Sequence, residues 1–173
     1  MLSSLAPFTD DGRVRVVVES PRNSTLKYEF EPALNAVTIS RQLMTGLAYP
    51  YDWGFVPGTK AEDGDPLDAL VLHSSPTFPG VVLPCQPLGV VVVKQKDDET
   101  GWISNDRLIV RPAWEGHTSY IDNVADLHRQ TIQELERFFL NTAFFTGKKL
   151  RIQAWRGPRF ALQMIKRVTV KGS

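Results

Sequence analysis

The sequence is poor in most features that would assign it to a class at sight. One cysteine, Cys85, stands among 173 residues. That excludes an internal disulfide and leaves a small buried core residue, in a reducing compartment, as the expected role. No run of about 18 apolar residues occurs, so no membrane-spanning helix is expected. The opening MLSSLAPFTDDGR has neither the basic leader nor the apolar stretch of a secretory signal. Charge of neither sign dominates: 20 Lys and Arg against 19 Asp and Glu leave a net +1. These charges are scattered instead of blocked, which gives no footprint for nucleic acid or an anionic membrane. Repeats, linkers and low-complexity segments are absent as well. These absences lead us to expect a soluble cytoplasmic protein, one domain over residues 1–173, long enough to bury about 70% of its unfolded surface. Its function has to be sought in local constellations.

The first 110 residues read as short strands. Arg13–Glu19 is β-branched and stops at Ser20-Pro21; Lys27–Phe30 alternates charged and aromatic residues; Ala36–Ser40 follows a turn at Leu34-Asn35. Leu47–Pro57 is aromatic, broken by Pro50 and Gly54, and reads as a strand with an irregular start. Ala69–Leu72, Val81–Leu83, Leu88–Val93 and Arg107–Val110 are further strands, with Ser74–Gly80 as a loop and Lys96–Thr100 as a charged hairpin tip. About seven strands without a helix favour a barrel or a sandwich. From Leu127 the period changes: Ile132, Leu135, Phe138 and Phe139 recur at three and four, predicting an amphipathic helix that ends by Gly147. A last strand, Lys149–Trp155, and a short helix opened by Pro158 complete the chain.

Charge falls repeatedly at strand ends. Glu19 closes the first strand, Lys27 and Glu29 share one face of the second, and Arg41 follows the third. The densest group is EDGDPLDALVL, where Asp63, Asp65 and Asp68 lie within six residues, punctuated by Gly64 and Pro66, just before an apolar run. A turn feeding a strand would collect these oxygens at the strand's start. Hard cations such as Mg²⁺ take oxygen ligands of this kind, one or two carboxylates completed by waters and substrate phosphates. An acidic solvated turn has the same composition.

In order, Glu19, Lys27, Glu29, Arg41, Tyr49 and the aspartate turn resemble the active-site series of the family I soluble inorganic pyrophosphatases. The resemblance rests on E-S-P, K-Y-E, L-A-Y-P-Y-D-W-G-F-V, E-D-G-D-P-L-D-A-L-V, P-x-G-V-V-L-P-C-Q-P-L-G-V and Y-I-D-N-V-A-D-L, and it covers nearly the whole chain. It implies a mainly β (α+β) fold, a small five-stranded barrel of the OB type with helices packed outside and a long helix towards the C-terminus. It also implies Mg²⁺, or Mn²⁺ or another divalent ion, held at Asp63 and Asp68 with Glu19 and Glu29 beyond, and pyrophosphate or another small phosphoanhydride as substrate. Asp65 is then the general base, Lys27, Arg41 and Arg107 the phosphate-binding cations, and Tyr49 a hydrogen-bond donor. A homo-oligomer, hexamer or dimer, is the implied assembly.

The second half of the site departs from the family pattern. Gln95 and Asn105 stand where carboxylates are expected, and Arg107 where a lysine is. Thr142-Ala143 replaces a Tyr-Lys pair, and Trp53 replaces a tyrosine. Asp97, Asp98 or Glu99 in the hairpin tip, or Asp106 next to Asn105, are the acidic groups available to stand in, although Asp106 would point to the opposite face of a regular strand. Lys148 and Lys149 follow the long helix. Two expectations result: a weakened or altered Mg²⁺-dependent pyrophosphate hydrolase, and, as the alternative, a catalytically impaired relative that binds a metal or a phosphorylated ligand or serves as a partner subunit.

Overall fold

The computed structural model describes residues 1–97, 101–114, 121–144 and 146–170. Among them the elements are β1 (Val14–Ser20), β2 (Leu26–Glu31), β3 (Ala36–Gln42), β4 (Asp52–Val56), β5 (Leu67–Val71), β6 (Val82–Asp97), β7 (Gly101–Ser104), β8 (Arg107–Pro112), α1 (Arg129–Thr142), β9 (Lys149–Arg156) and α2 (Pro158–Val168). Hydrogen-bonded neighbours run β1-β4-β5-β8-β6, and β6 pairs again with β1, closing a ring of five strands. The mainly β, barrel-forming class expected from the sequence is what the chain adopts. β7 and β9 extend the sheet along the far half of β6, and β2 with β3 forms a separate hairpin.

Two valine-rich runs read as separate strands, Val81–Leu83 and Leu88–Val93, are one strand of 16 residues. Pro84 and Pro87 suggested a break, since proline cannot donate to a ladder. The structure instead places a register shift between Pro87 and Gly89, so the strand bends there and continues, passing from β1 to β8 and then to β9 as partner. Gly89 is needed at the bend because a Cβ on it would lie 2.2 Å from the Arg156 carbonyl oxygen. β7 is an eighth strand in the region where about seven were expected. The hairpin tip at 98–100 lies outside the described residues. The long helix starts at Arg129 instead of Leu127, because residues 124–126 form a 3₁₀ turn and the His128 ring nitrogen caps α1 by accepting from Gln130 N–H at 3.3 Å.

Strand alternation sorts the core into two sets. Val14, Val16 and Val18 of β1, Leu67, Ala69 and Val71 of β5, and Leu108 and Val110 of β8 join Ala161, Met164 and Ile165 of α2. The intervening positions Leu70, Val91, Val93 and Ile109 join Tyr49, Trp53 and the α1 residues Leu135, Phe138 and Phe139. Each helix thus covers one face of the sheet with the side chains its 3.6-residue period brings together. Cys85 is fully buried in the first set, and burial pushes its thiol far up, so it is an inert core residue. Among the described residues no helix is long and apolar enough to cross a membrane.

Candidate active site

The ring's registers decide which polar residues meet. Phe55 on β4 is paired with Val17 on β1 and with Asp68 on β5, while β5 runs parallel to β8 with Ala69 opposite Leu108. Because side chains alternate, Glu19, Phe55, Asp68 and Arg107 come to a common face. The β2–β3 hairpin and the end of α1 rise beside it, enclosing a cleft of about 570 Å³. All nine residues singled out in the sequence line this cleft: Glu19, Lys27, Glu29, Arg41, Tyr49, Asp63, Asp65, Asp68 and Arg107.

One wall is the acidic turn before β5. Gly64 adopts φ +93°, a conformation that favours glycine. Ala61 N–H donates to the Asp65 carbonyl at 2.7 Å, and Asp65 N–H donates to the Asp63 carboxylate at 3.2 Å. The turn holds Asp63 half-buried, leaves Asp65 exposed and hands the chain to β5, which carries Asp68. Burial pushes the Asp63 and Asp68 carboxyls above the usual range, the neighbouring aspartates adding to it and Arg107 opposing it. Glu19 at the end of β1 is pushed up to about 7, chiefly by burial, although it accepts from Phe30 N–H at 2.8 Å. Burial thus disfavours the charged form of all three acids, a cost that a bound cation would relieve.

The opposite wall is cationic. Lys27 and Arg41 are direct register partners across the hairpin. Like charges placed opposite each other destabilise a ladder, and Glu29, two residues along β2 from Lys27, offsets part of that cost. Lys27 donates to Glu29, and Arg41 donates through Nη2 to the Thr142 carbonyl at 2.8 Å, capping α1. Lys148 and Thr146, from the turn after α1, line the same cleft, and Lys149 is not among the lining residues. Tyr49 is buried at the base against Trp53 and Phe138, and burial pushes its phenol up to about 12.

The rewritten half is also built. Gln95, Asn105 and Arg107 are buried at 5%, 8% and 8% exposure. Asn105 Nδ2 donates to Gln95 Oε1 at 2.9 Å, Arg107 Nη1 donates to Asn105 Oδ1 and to Asp68 Oδ2, the latter at 2.5 Å, and the guanidinium lies 5.3 Å from the Trp53 ring centre. Asp106 precedes β8 and does not substitute for Asn105. Its carboxylate accepts from Val93 N–H at 2.9 Å, and burial raises its pKa. Asp98 and Glu99 lie outside the described residues. Sequence reasoning did not find the amide string, because nothing in the chain's pattern says that Gln95 and Asn105 face each other across strands.

With this geometry in place, the comparisons are specific. A family description, "Inorganic pyrophosphatase", matches residues 16–171. The chain is 35% identical over 156 residues to the inorganic pyrophosphatase of Thermus thermophilus, covering 88% of this chain and 86% of that one. It is 32% identical over 154 residues to that of Synechocystis, covering 89% and 88%. The chain belongs to the inorganic pyrophosphatase family. Its backbone follows the crystal structure of the Thermus thermophilus pyrophosphatase at a TM-score of 0.88, with 33% identity and coverage of 97% and 96%. The Helicobacter pylori pyrophosphatase structure matches at 0.84 with 27% identity, covering 95% and 96%.

Membership in the pyrophosphatase family implies dependence on a divalent metal. Among the described residues no three His, Cys, Asp or Glu side chains converge tightly enough to cage an ion. The donors that are present, Asp63, Asp65 and Asp68, are all oxygen, and burial disfavours the charged form of Asp63 and Asp68. That set fits a hydrated hard cation completed by substrate oxygens, and not a fully protein-caged ion.

Proposed function

We propose that the chain hydrolyses inorganic pyrophosphate to two phosphates with Mg²⁺. The observation that carries this reading is the cleft with an acidic turn on one wall and the register-paired Lys27 and Arg41 on the other. A compact polyanion lying between them would neutralise the cations and present its far oxygens to a metal. Asp63 and Asp68 would hold the Mg²⁺ ion, and Glu19 and Glu29 would hold its waters. When bound, the ion neutralises phosphoryl oxygens and acidifies water.

Lys27, Arg41 and Lys148 bind phosphate oxygens, Arg41 as a fork fixed by the α1 carbonyl and the lysines as point charges. Tyr49, whose phenol stays protonated at neutral pH, donates to a phosphate oxygen. Asp65, the exposed carboxylate of the turn, takes the proton of the attacking water as general base. Arg107 stabilises the charge at the cleft floor. One domain over residues 1–173, cytoplasmic residence and a homo-oligomeric assembly, hexamer or dimer, complete the proposal, the last checked by gel filtration with light scattering.

The deciding assay is phosphate release from pyrophosphate with Mg²⁺ and then Mn²⁺, beside Asp65→Asn. The wild type is expected to exceed the variant by about 10²- to 10⁴-fold. Equal rates with both metals would leave a non-catalytic binder of metal or phosphorylated ligand as the reading.

A further inference from the structure

The cleft contains a cation of its own. Arg107 sits at the start of β8, 8% exposed, and its arrangement commits it to one charged partner. The parallel register that sets Leu108 beside Ala69 brings Arg107 beside Asp68, and Nη1 donates to Asp68 Oδ2 at 2.5 Å. Asn105 accepts from the same group, and its own amide is fixed by donation to Gln95 at 2.9 Å. Trp53 stands 5.3 Å from the guanidinium carbon, placing the cation over a ring face. Gln95 and Asn105 orient the guanidinium without neutralising it, since neither carries charge. Among the described residues, Arg107 forms an ion pair only with Asp68.

A lysine could not be held in this way, because its point charge lacks the planar fork that reaches Asp68 and Asn105 together and the flat face that lies on Trp53. A second divalent ion competing for Asp68 Oδ2 therefore meets a fixed positive charge already bound to that oxygen, and at such separations like charges repel strongly even in a polar site. We infer that Arg107 is a resident cation that takes the place of a second divalent ion at Asp68, so that the substrate-free protein binds one divalent ion per chain and any further ion arrives on the pyrophosphate. This rests on the reading of the cleft as a metal-dependent pyrophosphate site. It assigns to Gln95 and Asn105 the positioning of Arg107, where a carboxylate at either position would instead have drawn in metal.

The test counts ions and needs no turnover. Metal-stripped, substrate-free protein is titrated with Mn²⁺, and the free aqua ion is followed by electron paramagnetic resonance. The wild type is expected to bind one Mn²⁺ per chain. Arg107→Gln is expected to bind a second, or to bind the first at least about tenfold more tightly, and the gain is expected to vanish when Asp68→Asn is added. Two or more ions on the wild type would overturn the inference however the variants behave, which keeps it falsifiable if Arg107→Gln fails to fold. A folded Arg107→Gln with the wild-type isotherm would overturn it equally. Absence of pyrophosphate hydrolysis with any metal would refute the proposed activity and leave this count standing.

Discussion

Glu19 offers a quantitative check on the electrostatics of the cleft. Burial raises its carboxyl from 4.5 to about 7, so between those values the folded protein holds a proton that the unfolded chain releases. The sign follows directly: the folded state binds more protons in that window, stability falls as pH rises through it, and above about pH 7 the full cost of the buried charge is borne. Converted, the shift amounts to about 2.5 kcal/mol between pH 5 and pH 8. Glu19→Gln removes the titration and keeps an oxygen to accept from Phe30 N–H. In metal-free protein the variant should therefore gain about 2.5 kcal/mol on the wild type as pH goes from 5 to 8, or roughly 5–10 °C in Tm for a chain of this size. Urea unfolding at the two pH values, at fixed protein concentration, measures this. Saturating Mg²⁺ should shrink the gain, since a cation favours the charged form. A gap between variant and wild type that is the same at both pH values would refute the account of Glu19 as a buried, uncompensated acid.

Three other changes probe separate parts of the structure. Gly54→Ala would set a Cβ 1.9 Å from the Val17 carbonyl oxygen in the β1–β4 pairing, and should destabilise by about 3 kcal/mol or more, seen as a lost or strongly lowered thermal transition. Lys148→Gln removes an exposed cation that lines the cleft together with Arg41 and should raise KM for pyrophosphate by about tenfold, with thermal stability within about 0.5 kcal/mol of wild type. Asp52 is fully buried, accepting from His73, Thr77 and Arg22 N–H, and these bonds hold its pKa low despite burial. Its contribution is present above the unfolded carboxyl pKa and is lost as pH falls through the folded one. Asp52→Asn should cost about 2–4 kcal/mol at pH 7, and the loss measured by urea unfolding should shrink in acid.

Much of the fold was legible in the chain because its signals are local. Alternation in RVRVVVE and LRIQAW, the three-and-four spacing from Ile132 to Phe139, and Pro158 opening the last helix each act within one element, and the strands and helices form close to where those patterns place them. The misreadings were also local: Pro84 and Pro87 would end an isolated strand, but in β6 a register shift absorbs them. The acidic turn and the charged strand ends were visible for the same reason. A glycine with positive φ, an Asx bond and a following apolar run are written within six residues.

Closure and charge pairing were decided only in three dimensions. By itself the sequence determined which residues are strand, which turn is acidic and which familiar positions are changed. It did not determine that β6 returns to β1, nor that Gln95, Asn105, Trp53 and Arg107, spread over 55 positions from first to last by their numbering, join in one string ending on Asp68. The physical reason is that register and ring closure are set by hydrogen bonding between distant strands, whereas propensity and period are set by neighbours. What looked from the chain like missing ligands is, in the folded protein, a fixed cation with its own supports.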